Sequence, residues 1–326
     1  MEARVRMWQL ERAVRGPQPL AEKDIPALNR LFADAFTDRY RRDGLVGVRV
    51  PFLNPAIWRY ALSDAGAGAM GWRDEADRLV AFNIAHRSGS EGWMGPLAVR
   101  PDRQTGGLGK TIVRAAIDWL EGQGVATLGL ETMPRTVDNI GFYSRLGFVP
   151  GHLTITMTAD AADAPGTAFT ALGALEPAER ERRLAEVSGL VGRLAPGVDF
   201  GREIQLTHEL RLGDVLVVGP PGATTGFALC HSAPLAENGV REETRVLKVG
   251  ALSLDALLAV LDSVAAWAAR QGARRIGCRC QGAYGEAFRA LVARGFRVRW
   301  TDLRMTLAGH QEAMPAAGIV WSNWEV

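Results

Sequence analysis

Cysteine is scarce: Cys230, Cys278 and Cys280 are the only three in 326 residues, too few for a disulfide framework in a chain this long. Cys278 and Cys280 stand two apart in a strand-like run, so they face the same side and are poorly placed to bond to each other. A metal site needs more ligands than His231 beside Cys230 supplies, and none is expected. Lysine is almost absent as well, with Lys23, Lys110 and Lys248 the whole complement. The arginines that replace it are scattered, form no basic run and fit the codon bias of a GC-rich genome. A net charge of +2 is too small to imply nucleic acid or a membrane surface as partner. No stretch reaches the roughly 18 apolar residues of a membrane span. The first residues, MEARVRMWQLERAVRG, interleave acids with arginines and lack an apolar signal core, so a lead-in tail over 1–16 and a cytoplasmic location are expected.

What is present is an ordinary globular composition, 47% hydrophobic and 23% charged, of a length that suggests two domains. Ile25, Leu28, Leu31, Phe32 and Phe36 recur at helical spacing over 22–40, and a second helix is expected over 55–62. Val46–Phe52 reads as extended. Strands over 78–86 and 93–99 lead to a glycine-rich turn. A helix over 110–121 follows, with Ile112, Val113, Ala116, Ile117 and Leu120 on one face. Then come a buried strand over 126–132, a helix over 136–146 and a strand over 148–158. Residues 159–169 are small and polar, as linkers are.

A similar order returns afterwards: a helix over 177–194, strands over 214–218, 225–231 and 246–249, a helix over 254–270, then strand, helix and strand over 275–280, 284–294 and 295–307. Gly147-Phe148 and Gly295-Phe296 each close an amphipathic helix. Two such units at long separation constitute an internal repeat. The expected fold is α/β, with a first domain over 17–158, a second over 170–326, and in each a central mixed sheet flanked by helices.

The chemistry gathers at Leu97-Ala98-Val99-Arg100-Pro101-Asp102-Arg103-Gln104-Thr105-Gly106-Gly107-Leu108-Gly109-Lys110. A strand ends at Val99 and glycines open a helix, whose unpaired first amides and dipole make an anion site suited to a pyrophosphate. A P-loop would carry glycine where Gln104 stands, and a dinucleotide-binding turn would follow the first strand of its domain.

Val99, Pro101, Gln104, Gly107 and Gly109 fall in register with Val-x-Pro-x-x-Gln/Arg-Gly-x-Gly-x-Gly/Ala, the cofactor segment of the GNAT N-acetyltransferases. Tyr143, Gly147 and Phe148 match that family's next motif. Thr105 replaces the first loop glycine, and Thr136 stands where the family has asparagine, with Asn139 where it has a small residue. The resemblance to the GNAT superfamily is strong over 90–150, extends by layout over 20–158 and is weak in the second half.

The resemblance implies acetyl-CoA as cosubstrate and direct attack of an amine on its thioester, with no acyl-enzyme. Backbone of Leu97, Ala98 and Val99 would pair with the pantetheine arm, and Gln104, Thr105, Gly106, Gly107, Leu108, Gly109 and Lys110 would hold the pyrophosphate. Asn139 and Phe142 would flank the cofactor, and Tyr143 would be the general acid. Glu131, His86 and Glu91 are the available proton acceptors, and the strand before the loop offers only Met94, Gly95 and Pro96. Phe36, Tyr40, Arg41, Arg42, Asp43, Trp58 and Tyr60 form an aromatic and charged set for the acceptor; Trp93 fits the cleft or the core equally. The second half has Gly250-Ala251-Leu252-Ser253 in place of the glycine loop and Leu291 in place of the tyrosine. The arrangement is similar to tandem members of the family with one live and one degenerate half. A non-catalytic acyl-CoA-binding regulator or scaffold is the alternative, and a homodimer is compatible with either.

Overall fold

The computed structural model describes residues 14–104, 106–163 and 168–324; most of the expected N-terminal tail, Thr105 and part of the expected linker lie outside the described residues. The first unit runs β1 (Arg15–Pro19), α1 (Ile25–Arg42), α2 (Pro55–Ala65), β2 (Ala69–Arg73), β3 (Leu79–Ser88), β4 (Glu91–Val99), α3 (Leu108–Gly122), β5 (Thr127–Thr132), α4 (Val137–Ser144) and β6 (Phe148–Asp160). The second repeats that order with β7 (Thr170–Ala171), α5 (Pro177–Leu194), α6 (Gly201–Glu209), β8 (Gly213–Val218), β9 (Gly226–His231), β10 (Glu243–Ala251), α7 (Leu254–Arg270), β11 (Arg275–Gln281), α8 (Gly285–Ala293) and β12 (Arg297–Leu307), and adds β13 (Ile319–Ser322). Strand β2, helix α6 and strand β13 are additions to the sequence pattern. Val46–Phe52, expected to be extended, forms no strand; with Gly44 and Gly47 at positive φ, this stretch turns too often to pair.

The two units share one sheet, in the order β1-β2-β3-β4-β5-β12-β6-β11-β10-β9-β8-β7, with β13 beside β10. The closing strands are exchanged. β12 of the second unit inserts beside β5 of the first, with Arg304 opposite Glu131, and β6 of the first lies between β12 and β11 of the second. Seven consecutive β6–β11 pairs and nine β6–β12 pairs satisfy backbone groups that a closed first unit would leave on an edge.

Helices cover both faces. On one, α3 buries Ile112, Val113, Ala116, Ile117 and Leu120 against β3–β5, and α7 does the same over β8–β11 with Leu257, Val260, Leu261 and Val264. Each of these Ile, Val and Leu side chains contributes about 1.5–3 kcal/mol of transfer free energy. On the other face sit α1 with α2 and α5 with α6, the pairs meeting through Ile57, Tyr60, Leu206 and Leu212. Hairpin ends of each unit rest on the helix loop of the other: Ser90 N donates to Gly197 O at 2.7 Å, and Glu237 N to Phe52 O at 2.8 Å. All three cysteines are buried and free. Among the described residues no helix is long and apolar enough to cross a membrane, and no group of three or more His, Cys, Asp or Glu is placed to hold a metal ion.

Candidate active site

β4 and β5 run parallel and pair only from Glu91 opposite Thr127 to Met94 opposite Leu130. Beyond Met94, β4 continues to Val99 on β3 alone, and β5 turns its other edge to β12. The strands therefore splay, and the β5-facing backbone of Leu97, Ala98 and Val99 borders a wedge rather than a neighbouring strand. An extended ligand can occupy such a wedge by pairing with that edge. At its mouth, α3 begins at Leu108 with Gly107 as its N-cap in the left-handed region at φ 82°, a conformation that β-carbon-bearing residues resist. A Cβ on Gly106 or Gly107 would meet nothing within 4 Å, whereas one on Gly109 would touch the Phe142 ring at 3.5 Å. The loop glycines thus face open space, and Phe142 packs under the helix start. Lys110 is exposed at the same end.

Gln104 ties this loop down. Its Nε2 donates to Val99 O at 3.0 Å, and its Oε1 accepts from Arg42 Nη1 at 3.0 Å. Asp43 is anchored likewise: Thr136 Oγ1 at the start of α4 donates to its Oδ2 at 2.5 Å, and Arg39 Nε donates to the same oxygen at 3.1 Å. Burial opposes the charge on Asp43, but Arg39 and Thr136 outweigh it and hold the carboxyl below its usual range. Asn139 Nδ2 reaches Thr132 Oγ1 at 3.4 Å.

Tyr143 lies on α4, is 6% exposed and packs edge-on to Phe142 and Phe148. Its hydroxyl has no protein partner among the described residues. Burial pushes the phenol well above its ordinary value, so it stays protonated at any working pH.

Glu131 sits on the opposite face of β5, within a network contributed by the second unit. It accepts from Thr154 Oγ1 at 2.5 Å, from Arg304 Nη1 at 3.0 Å and from Arg279. Arg279 also binds Asp302 at 2.8 Å. Burial would raise the Glu131 carboxyl, but Arg279 and Arg304 more than offset it and hold it below its usual range. Asp302 is moved the other way, chiefly by burial, which favours its protonated form. Trp300 Nε1 donates to Asp302 Oδ1 at 3.2 Å, and the Trp300 ring meets Tyr40 at 6.0 Å.

The structure does not bring His86 to this cleft. It is 2% exposed, its Nδ1 pairs with Asp64 Oδ2 at 2.8 Å, and its ring stacks on Trp324. Glu91 is buried nearby. Trp58 and Tyr60 are core residues, 0% and 1% exposed, with Trp58 Nε1 donating to Asn29 Oδ1 at 2.6 Å. Trp93 is core as well, with the Arg304 guanidinium 3.8 Å from its ring centre. Of the acceptor set, Arg42 meets the loop at Gln104, Tyr40 meets the Trp300 ring, and Asp43 meets the start of α4. Sequence reasoning missed Arg279, Trp300, Asp302 and Arg304, because no local pattern signals that a strand of one unit completes the sheet of the other.

Residues 27–148 match the model of the Acetyltransferase (GNAT) family. The chain is 40% identical over 72 residues to the [ribosomal protein bS18]-alanine N-acetyltransferase of Salmonella typhimurium, covering 22% of this chain and 49% of that protein. It is 39% identical over 71 residues to the Escherichia coli K12 protein of the same name, covering 22% and 48%. It thus spans about half the length of these curated relatives. A Pyrococcus horikoshii protein assigned as an acetyltransferase has the same fold, with TM-score 0.67 at 16% identity over 96% of this chain and 94% of that one. A tandem GNAT protein from the clavulanic acid biosynthesis pathway superposes with TM-score 0.57 at 14% identity, over 90% and 98%.

Proposed function

Since residues 27–148 match the GNAT acetyltransferase family model and 90% of the chain shares the fold of a tandem GNAT protein, we propose that this protein transfers the acetyl group of acetyl-CoA to an amine at the cleft of its first unit. The observation that carries this reading is the splay of β4 from β5 beyond Met94 and Leu130, ending at the glycine turn that opens α3. The wedge edge at Leu97–Val99 takes the extended arm of the donor by strand-like pairing. The amides at the start of α3, with Lys110 beside them, neutralise its pyrophosphate.

The amine nitrogen then attacks the thioester carbon; a C–N bond forms, the C–S bond breaks, and the nitrogen gives up a proton. Asp302 and Glu131 are the carboxylates for that proton, reached directly or through water. Glu131, kept ionised by Arg279 and Arg304, attracts the ammonium form of the acceptor, and Asp302, whose hold on a proton burial strengthens, receives from it. Tyr143, held neutral by burial, donates to the departing sulfur. Holding donor and acceptor in one cleft supplies much of the rate, since no covalent enzyme intermediate is needed. The acceptor is an amine that passes the Tyr40–Trp300 pair, and the curated relatives make an alanyl peptide the first to try.

The test is calorimetry and thermal unfolding with acetyl-CoA, followed by release of free thiol with alanyl peptides and small amines. At about 100 times Kd, acetyl-CoA should add about 2.7 kcal/mol to stability. No stabilisation, or binding without thiol release from any amine, would count against acetyl transfer.

A further inference from the structure

The wedge of the first unit has a counterpart in the second. β10 and β11 are parallel and pair only over Glu243–Arg245 with Arg275–Gly277, after which Lys248–Ala251 leaves β11, as Leu97–Val99 leaves β5. Here the gap is filled by the chain itself. β13 lies antiparallel to β10 in four register pairs, Lys248 with Ser322 through Ala251 with Ile319. Tyr284, at the N-cap of α8, holds the other edge. Its hydroxyl donates to Val320 O at 2.9 Å and accepts from Val320 N at 3.1 Å. Asn323 closes the wedge at its narrow end, where its N donates to Leu247 O at 3.0 Å and its Nδ2 to Arg279 O at 3.2 Å, one bond to each diverging strand. Ile319, Val320 and Trp321 are buried.

The same segment reaches the first unit's network. Arg304 Nη1 is shared between Ser322 O at 3.3 Å and Glu131 Oε1 at 3.0 Å, and its Nε and Nη2 bind Glu312 at 3.0 and 2.9 Å. With the guanidinium also lying over Trp93, Arg304 has one available position.

We propose that residues 319–323 are a built-in occupant of the second unit's acyl-arm slot, so that the protein takes one acyl-CoA per chain, and that this segment fixes Arg304 as the positioning residue for Glu131. The slot that holds donor in one unit has become, in the other, a brace for the carboxylate of its neighbour. The role of Glu131 rests on the function proposed above; the sealing of the slot does not.

Native-state hydrogen exchange with and without saturating acetyl-CoA tests the seal. In the free protein, amides of 319–323 should exchange as slowly as those of β10. Acetyl-CoA should leave them unchanged while slowing 97–99 and 107–110, with a calorimetric stoichiometry of one. Faster exchange at 319–323 on adding acetyl-CoA, protection appearing at 248–251, or a stoichiometry of two would overturn it. If acetyl-CoA binds nowhere, the proposed function fails, while slow exchange at 319–323 in the free protein still supports the seal and fast exchange still refutes it.

The positioning role is tested by 13C NMR titration of the Glu131 carboxyl, assigned by its loss in Glu131→Gln. Arg304→Lys keeps the charge but not the fork, and Tyr284→Phe loosens β13, with exchange at Val320 about fivefold faster for a lost hydrogen bond. Both should move the Glu131 midpoint upward, Arg304→Lys by more. An unmoved midpoint in both variants would refute positioning by this segment.

Discussion

Arg304 and Glu131 face each other across β12 and β5 as a register pair, 3.0 Å from Nη1 to Oε1, although they come from different repeat units. The Arg304 side chain is 3% exposed and that of Glu131 19%, a setting in which an ion pair is costly to break. Glu131→Gln should therefore destabilise the fold by about 2–3 kcal/mol at neutral pH, because it leaves buried arginine charge under-compensated. The folded-state value of Glu131 lies below its unfolded one. Its contribution is thus fully present above the unfolded value and lost as pH falls through the folded one. Thermal unfolding of the two proteins should differ most at pH 7 and converge below the usual carboxylate range. A difference independent of pH would show that the carboxylate charge is not what stabilises.

Gly107 and Gly106 make a paired test of the turn. Gly107 has φ 82° and caps α3, and a Cβ on it or on Gly106 meets nothing within 4 Å. Gly107→Val should cost about 1–2 kcal/mol through backbone strain alone and weaken acetyl-CoA binding by misaiming the first amides of α3. Gly106→Ala should leave stability unchanged. Chemical denaturation and calorimetry on both variants decide, and equal losses would mean that the left-handed cap is not the constraint.

How much of this was legible depended on range. The glycine turn, the amphipathic face of α3 and the helix bearing Tyr143 are local, periodic features, and the sequence pattern places them within a few residues. The second unit's α5 and α7 are equally plain because Pro177 and Ser253 mark their starts. The exchange of β6 and β12 was not legible: strands that pair across units have the same alternation as strands that pair within one. Hence Glu131 reads as a lone carboxylate in the sequence and is a networked one in the fold. His86 looked available because nothing local shows Asp64 and Trp324 closing over it. β13 was missed because Ile319–Ser322 is short and follows a long irregular stretch.

Trp300 and Asp302 are supplied by the exchanged strand, so their loss should affect the acceptor and spare the donor. Asp302→Asn should raise KM for the amine about tenfold or more and lower kcat, through loss of a half-buried proton acceptor. Trp300→Ala should raise KM with a smaller effect on kcat. The calorimetric Kd for acetyl-CoA should stay within about twofold, since neither residue borders the β4–β5 wedge. Weakened acetyl-CoA binding in either variant would place the acceptor side elsewhere.

Tyr143→Phe separates chemistry from packing. The ring is buried among Phe142, Phe148 and Leu146, and phenylalanine fills the same volume. The hydroxyl has no protein partner among the described residues, so nothing is left unsatisfied when it goes. Stability should therefore change by no more than about 0.5 kcal/mol, and acetyl-CoA should bind as before. Thiol release with the most active amine of the panel should nevertheless fall by about 10²–10⁴-fold, the usual worth of a positioned proton donor. The second unit supplies an internal comparison. Leu291 occupies the corresponding place on α8 and is wholly buried, so the position tolerates an apolar side chain, and under the proposed mechanism it needs a hydroxyl only where the donor's sulfur departs. Full activity in Tyr143→Phe would leave protonation of the thiolate to water and remove this residue from the mechanism.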